Sequence, residues 1–515
     1  MTAKKKASKL FDKHLLDEIG VTIENLVTDS RLVKPGDTFL AYAGEVTDGR
    51  KFIPQAIAAG ANAILWDPQN FSWNPKWRIP ALAINELRTN AGLIASYVYG
   101  NPSQKLWVVG ITGTNGKTSC SHWYAQAMTN LGRKTAVLGT LGNGFGNELA
   151  ASENTTPEAT VLQRSLARFV ERGAHSVAME VSSHGLVQGR LNGTAFAIAV
   201  LTNLSRDHLD YHQDMDTYAA AKARLFFWPE LQYAVINMDD VLGVELSRQL
   251  ANKPVRTIGY GFHYPEERYS NQFKMVYGLN LKVDIEGMEF DIEFEDNHEH
   301  LRIGLLGKFN ASNVLAVVAT LLASGIRLPD AIRSLQSVQP IPGRMEKYER
   351  VGQPTIIVDY AHTPDALEKV LCTLRELSRT ASQKKGTAGQ NARLFCVVGC
   401  GGDRDKGKRV MVGEVATRLA DEVIFTSDNP RSEDPLGIIK DMVAGADANN
   451  YQIEVDRALA IYQAIDNAYS GDIVLIAGKG HEKFQEIKGQ KIPLNDAEVV
   501  QQVLKDLAMK ARVRS

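Results

Sequence analysis

The feature that most constrains this chain is a recurring unit: a short, continuously apolar run that ends in a cluster of glycines, hydroxyls or charges. In the middle of the chain the runs are LWVVGIT, SVAMEVSS, FAIAVLTN and YAVINMD. In the last third the units are TIIVDYAHTP, RLFCVVGCGGDRDKG, EVIFTSDNPRSEDP and DIVLIAGKGHE. Runs without alternation suit strands buried on both faces of a parallel sheet, with helices as the crossovers. Ligands of such sheets gather beyond the carboxyl ends of the strands. Every polar or Gly-rich cluster here falls there, so the pattern predicts an α/β fold with its chemistry on one rim.

A length of 515 residues exceeds a single core. Three regions are expected, with boundaries at 1–103, 104–338 and 339–515. The first is a small α/β unit, with DTFLAYAG and NAILWD as strands and FIPQAIAAGA as a helix between them. FSWNPKWRIP breaks that pattern, and NPSQ (101–104) reads as a linker. The second is a parallel-sheet unit with a phosphate loop. In it KMVYGLNLKVDIEGMEFDIEF alternates apolar and polar residues and turns at Glu286-Gly287, predicting added antiparallel strands. The histidines of EDNHEHLRI read as solvated loop residues. The third region opens at IPGRMEKY and carries the Rossmann-like strand–loop units, with DALEKVLCTLREL as a helix. TASQKKGTAGQNAR (380–393) reads as a low-complexity flexible loop.

Composition narrows the function classes. The chain is 44% hydrophobic and 23% charged, with a formal net charge of −1. That balance gives no overall positive field for nucleic acid or an anionic membrane. No apolar run approaches the roughly 20 residues of a membrane span, and the basic N-terminus MTAKKKASKL, read as a solvated tail, has no signal-peptide core. The four cysteines do not form a zinc pattern, so reduced thiols in the cytoplasm are expected.

GITGTNGKTS (110–119) follows the run LWVV. The spacing is not the longer G-x-x-x-x-G-K-[ST] loop, because Ile111 stands at the position of its first glycine. The shorter Gly113-Thr114-Asn115-Gly116-Lys117-Thr118-Ser119 still puts glycines and a helix N-terminus against an anion. Lys117 suits outer phosphates and the Thr118 hydroxyl suits Mg²⁺. Glu180 interrupts an apolar strand and needs a partner or a cation there; a structural salt bridge is the alternative. Asp207 and His208 stand at the exit of a third strand, with Lys222 shortly after. Taken singly, His208 is as readily a satisfied core residue and Lys222 a surface one.

Together, GTNGKT, MEVSSHGL, TNLSRDHLDYH, GKFNASN, IPGRME, DYAHTP, GCGGDRDKGKR, TSDNPR and AGKGHE resemble the Mur ligase family, in order and over nearly the whole chain. The resemblance implies an ATP-dependent ligase that activates a carboxylate as an acyl phosphate and joins it to an amine. It is strongest to the branch that adds meso-diaminopimelate to UDP-N-acetylmuramoyl-L-alanyl-D-glutamate in peptidoglycan precursor synthesis. ATP is then a co-substrate and Mg²⁺ the cofactor. The other partners are small molecules, and other wall-precursor enzymes stay open as protein partners. By the same resemblance, Lys117, Glu180, His208 and Lys222 are catalytic. Thr118 and Glu180 would hold one Mg²⁺, His208 a second, and Lys222 would be a carbamylated metal ligand. Asn310, Asn313 and Arg344 would contact the nucleotide and Asp359 the ribose.

The same carry-over assigns Thr28, Asp29, Ser30, Asn154, Thr155, Thr156, Ser182, Gln188 and Arg190 to the UDP-linked dipeptide; Arg190 suits a carboxylate or phosphate. Arg404, Asp428, Asn429, Pro430, Arg431, Gly478 and Glu482 are assigned to the amino acid. Arg431 suits a two-pronged grip on the distal carboxylate that lysine lacks, and Glu482 suits an ammonium; a surface arginine in a turn is the bland reading of Arg431. A lysine-adding ligase, a folylpolyglutamate-type ligase and a non-catalytic nucleotide-binding scaffold are the alternatives. Because the site parts lie in three regions, domain closure is expected, with hinges near 101–104 and 338–342.

Overall fold

The computed structural model describes residues 12–45, 47–152, 154–263, 273–384 and 392–514. The basic tail and half of the predicted flexible loop lie outside the described residues. The apolar runs form strands of three separate sheets. Leu26–Val27, Thr38–Ala41, Ala63–Trp66 and Ala81–Ala83 make a four-stranded parallel sheet in chain order. A cluster of Trp66, Phe71, Trp73 and Trp77 packs beside it, the rings about 5–6 Å apart.

The central sheet has eleven strands. Trp107–Thr112 lies between Ser176–Glu180 and Ile198–Leu201, parallel to both. The next strand in the chain, Thr135–Gly139, pairs on the far side of Ser176–Glu180. The strand order therefore reverses at Trp107–Thr112, which opens a crevice at its carboxyl end. Register finishes the placement: Ile111 is level with Glu180 and Thr112 with Leu201. The predicted antiparallel strands are Lys274–Asp284 and Gly287–Phe294, joined by Asn297–Ile303. A second antiparallel hairpin, Gly142–Phe145 with Glu148–Ala150, ends the other edge. Helix Lys308–Ala323 is apolar nearly all round, and its faces are buried against this sheet and helix Lys117–Asn130.

The C-terminal sheet has six strands, parallel except for the edge strand Glu346–Tyr348. Aliphatic clusters fill both its faces. Three local expectations are corrected. NPSQ is no open linker: Pro102–Lys105 is a 3-10 turn with Pro102 and Ser103 buried, and the Ser103 hydroxyl accepts from the Ala195 amide at 3.0 Å. His298 and His300 sit on a strand, not a loop, because cross-strand pairing with Glu293 and Asp291 extends the ladder. The helix begun at Pro364 runs to Lys384, into the segment read as a loop, because its first turns bury Leu367, Val370, Leu371 and Leu374 and carry the rest. The four cysteines are unpaired.

Candidate active site

The phosphate-type turn is built by close packing. Gly113 has φ +147 and Gly116 φ +86; a side chain at the first would strike the Thr202 hydroxyl, and at the second the Asn313 side chain. Asn203 staples the turn, its carbonyl accepting from the Thr114 amide at 2.8 Å and its side chain from the Asn115 amide at 3.0 Å. Helix Lys117–Asn130 starts at once, so its free amides face the cleft. The Lys117 ammonium lies back across the turn, 2.9 Å from the carbonyls of Gly113 and Thr114. Burial pulls its pKa down, opposed by the charges of Glu180 and Asp207.

Glu180 is 1% exposed. It accepts from the hydroxyls of Thr118 and Thr140, both at 3.0 Å, and from the Thr140 amide at 2.9 Å. No lysine, arginine or histidine of the described residues pairs with it, so the salt-bridge alternative fails and a buried anion remains for a cation. Thr155 continues the chain of hydroxyls, 3.1 Å from Thr140. The Arg344 guanidinium reaches Thr118 at 3.3 Å from the opposite wall and lies over the Tyr360 ring at 4.3 Å. Asp359, Tyr360, His362 and Lys369 complete that wall; Asn310 and Asn313 line the cleft beside the turn, Asn313 against Gly116, and Asp207 and His208 line it too. Both Asp359 oxygens already accept backbone amides, from Met345 and Ala361 at 2.7 Å, and burial raises its pKa.

His208 is held at φ +56, a conformation that side chains rarely adopt outside constrained sites. Its Nε2 is 3.4 Å from Asp207, and its ring stands edge-on to His184 at 4.9 Å. Lys222 is fully buried and does not line the cleft. Its Nζ donates to the Gly113 carbonyl at 2.8 Å, behind the turn, and lies over the Tyr218 ring at 4.4 Å. Burial, then repulsion from Lys117, lowers its pKa well below the usual lysine range.

A second groove joins the N-terminal and central units. Thr28, Asp29, Ser30, Gln188 and Arg190 line it, as expected together, with Tyr42, Glu45, Gln55, Arg88 and Glu158. Arg190 is engaged by Gln188, by the Thr156 carbonyl at 2.8 Å and by Glu158 at 3.2 Å. Two assigned hydroxyls serve the backbone instead of facing the groove. Thr156 is fully buried and joins the Glu180 carbonyl to the Ser182 amide. Ser182 caps the helix Ser183–Val187. The Asn154 carbonyl accepts from Ser152.

A third cluster gathers the amino-acid candidates beyond Glu422–Phe425. Arg431 sits at φ +50, donates to the Gly402 carbonyl at 2.7 Å and lies 3.4 Å from Glu486. Arg404 and Arg431 both approach Gly401, and Gly478 lies against Asp428. Asn429 donates to Glu482 at 2.7 Å, while Pro430 leads into the strained Arg431.

Three descriptions match consecutive stretches of the chain: Mur ligase family, catalytic domain, at 22–97; Mur ligase middle domain at 111–321; and Mur ligase, glutamate ligase domain, at 343–480. The chain belongs to the Mur ligase family. It is 58% identical to the UDP-N-acetylmuramoyl-L-alanyl-D-glutamate–2,6-diaminopimelate ligase of Nitrosomonas europaea, over 96% of this chain and 95% of that one. A solved ligase of the same description is 34% identical, with a TM-score of 0.64 over 94% and 95% of the two chains. MurF ligase from Thermotoga maritima, solved with ADP, shares the fold at 17% identity and a TM-score of 0.63, over 96% and 99%.

The Mur ligase motifs thus meet at one cleft, one groove and one adjoining cluster. Sequence reasoning missed Thr140, Asn203, Tyr360, His362 and Lys369 in the cleft, and Glu45 and Arg88 in the groove. Thr140, Asn203, Tyr360 and His362 were findable, since each stands in the polar stretch that follows an apolar run; Lys369, Glu45 and Arg88 carry no local signal.

Proposed function

We propose that this chain joins meso-diaminopimelate to the D-glutamyl carboxylate of UDP-N-acetylmuramoyl-L-alanyl-D-glutamate, consuming ATP. The observation that carries this is the 58% identity spread over 96% of the chain with a ligase of that description. The chain is an ATP-dependent ligase forming a carbon–nitrogen bond in peptidoglycan precursor synthesis. No helix of the described residues is long and apolar enough to cross a membrane.

The chemistry gathers negative charge. The acceptor carboxylate attacks the γ-phosphorus of ATP, the bond to ADP breaks and an acyl phosphate forms. The amine of the incoming amino acid then attacks the acyl carbon, phosphate leaves and an ammonium proton is lost. The amides of 113–119 and the Lys117 ammonium face the phosphates and offset the charge that shifts during transfer. Asn310 and Asn313, beside the turn, and Arg344 and Asp359, on the far wall, orient the nucleotide. The groove with Thr28, Ser30, Gln188 and Arg190 holds the UDP-linked dipeptide, and Thr155, bonded toward Glu180, leads its carboxylate to the cleft.

Glu180 and Thr118 fit Mg²⁺: they are hard oxygen donors, the carboxylate lacks a cationic partner, and phosphate oxygens would complete the shell. Mg²⁺ bound there would neutralise phosphate charge. His208, which lines the same cleft, would hold a second ion. Burial of the Lys222 amine favours its neutral form, the form that captures CO₂ as a carbamate, and this supports its reading as the modified lysine. The three units are taken to divide at 103/104 and 338/339. Specificity for the amino acid rests on Arg431, with Arg404, Asp428, Asn429, Pro430, Gly478 and Glu482 around it.

Phosphate release is the test, with ATP, Mg²⁺, UDP-N-acetylmuramoyl-L-alanyl-D-glutamate and either meso-diaminopimelate or L-lysine. Release with meso-diaminopimelate alone is expected. In Arg431→Ala, kcat/KM for meso-diaminopimelate should fall by about a hundredfold, the scale of a lost charged hydrogen-bond pair. Equal use of L-lysine, or an unaffected variant, would remove the role given to Arg431. Release with neither amino acid would sink the assignment.

A further inference from the structure

The segments 428–431 and 478–482, which carry most of the amino-acid candidates, leave strands that are not neighbours. Asp428 comes just after Glu422–Phe425 and Gly478 directly after Ile473–Ala477, while Leu394–Val398 lies between those strands and pairs with both. No ladder bond therefore joins the two strands that carry the segments. Arg457 does join them. It opens the helix Arg457–Asn467, and its side chain has no exposed surface. Its Nε and Nη2 donate to the two oxygens of Asp496, also fully buried, at 2.8 and 2.7 Å. Nη2 donates as well to the Ala477 carbonyl at 2.9 Å, and Nη1 to the Ser427 carbonyl at 3.4 Å. Those are the last carbonyls before Gly478 and Asp428.

The spacing of the segments is tight. A side chain at Gly478, held at φ +112, would strike Asp428, and one at Gly399, just past the middle strand, would strike the Thr426 carbonyl. A buried ion pair is a weak source of stability, since apolar residues of similar volume often serve as well or better. Apolar residues cannot, however, donate to two carbonyls on separate strands. A guanidinium, planar and always charged, can do so while it also satisfies a carboxylate. We infer that Arg457 is a positioning residue of the amino-acid pocket: by holding the Ala477 and Ser427 carbonyls at once, it fixes the turn 428–431 against the loop 478–482 and so sets the fit of the amino-acid substrate. Asp496 orients Arg457 for that span. This rests on the reading of the cluster as the amino-acid pocket.

The double variant Arg457→Met, Asp496→Leu removes the span and replaces the ion pair by apolar groups, a change that buried pairs often tolerate without loss of stability. Phosphate release is measured with each of the three substrates varied in turn. The KM for meso-diaminopimelate should rise about tenfold or more, since a misplacement of about an ångström is enough for that. The KM values for ATP and UDP-N-acetylmuramoyl-L-alanyl-D-glutamate should stay within about threefold of wild type. Arg457→Lys leaves Asp496 a cation but brings one nitrogen to acceptors that the guanidinium meets with three. It should show the same split, and it decides alone if the double variant does not fold. A KM for meso-diaminopimelate within about threefold of wild type in a folded variant would overturn the inference. So would an equal rise in all three KM values, the mark of a general loosening. Wild-type protein inert toward meso-diaminopimelate would instead sink the proposed function, and an unaffected Arg431→Ala would remove the pocket reading on which Arg457 depends.

Discussion

At the scale of single residues, burial decides which side chains are spent and which are free. Thr156 and Glu180 are both buried, but the Thr156 hydroxyl is committed to two backbone groups while Glu180 holds an unpaired charge. The first is architecture and the second is available for a cation. His122 shows the cost of such packing. Burial, then the charge of Arg344, lowers its pKa to about 4, and its Nε2 has no hydrogen-bond partner. Between about pH 4 and the ordinary histidine value of about 6.5, the unfolded chain binds a proton that the folded chain refuses, so stability rises with pH through that window and falls as pH drops. Unfolding at pH 5 and pH 7.5 should therefore show a weaker acid loss in His122→Gln than in wild type, by up to about 2 kcal/mol. Parallel pH profiles for the two proteins would show that His122 is not the group responsible.

At the scale of elements, the turn between Trp107–Thr112 and Lys117–Asn130 is held by residues from two other segments. Thr202 and Asn203 close one side and Asn313 the other. A methyl group at Gly116 has no room and would also strain φ +86. Gly116→Ala should cost about 1–3 kcal/mol of stability and weaken ATP binding in calorimetry at a temperature where the variant stays folded. Unchanged affinity would mean that the turn does not form the phosphate contacts. The strands either side of this turn were legible because their runs lack alternation. The edge hairpin Gly142–Phe145 with Glu148–Ala150 was not, because GNGFGNELA has neither an apolar run nor a clear period. The histidine-bearing strand Asn297–Ile303 was read as loop for a similar reason: its partner, not its own composition, makes it a strand.

At the scale of the molecule, the nucleotide cleft is formed between units. Asn115 reaches Asp365 at 3.4 Å and Arg344 reaches Thr118 at 3.3 Å, both long contacts across the cleft. We propose that substrates draw these walls closer. The expected pivot is Pro342–Gly343, just past Ile341 and Gln339, which are docked on the central unit, with Gly343 at φ +66. A hinge at 101–104 is disfavoured by the buried Ser103. Small-angle scattering should show a smaller radius of gyration when a non-hydrolysable ATP analogue, the UDP-linked dipeptide and meso-diaminopimelate are all present. Superimposable profiles with and without them would rule out a large closure.

The sequence by itself determined the α/β class, the parallel sheets, the short phosphate turn and the family, because these depend on local pattern: continuous apolar runs, glycines at a strand's end, and motifs in order. Tertiary structure decided the rest. It set Glu180 level with Ile111, spent the hydroxyls of Thr156 and Ser182 on the backbone, put Lys222 behind the turn, and joined Ser427 and Ala477 through Arg457. Each of those outcomes is a competition for hydrogen-bond partners among residues brought together by packing, and a local pattern carries no record of who wins it.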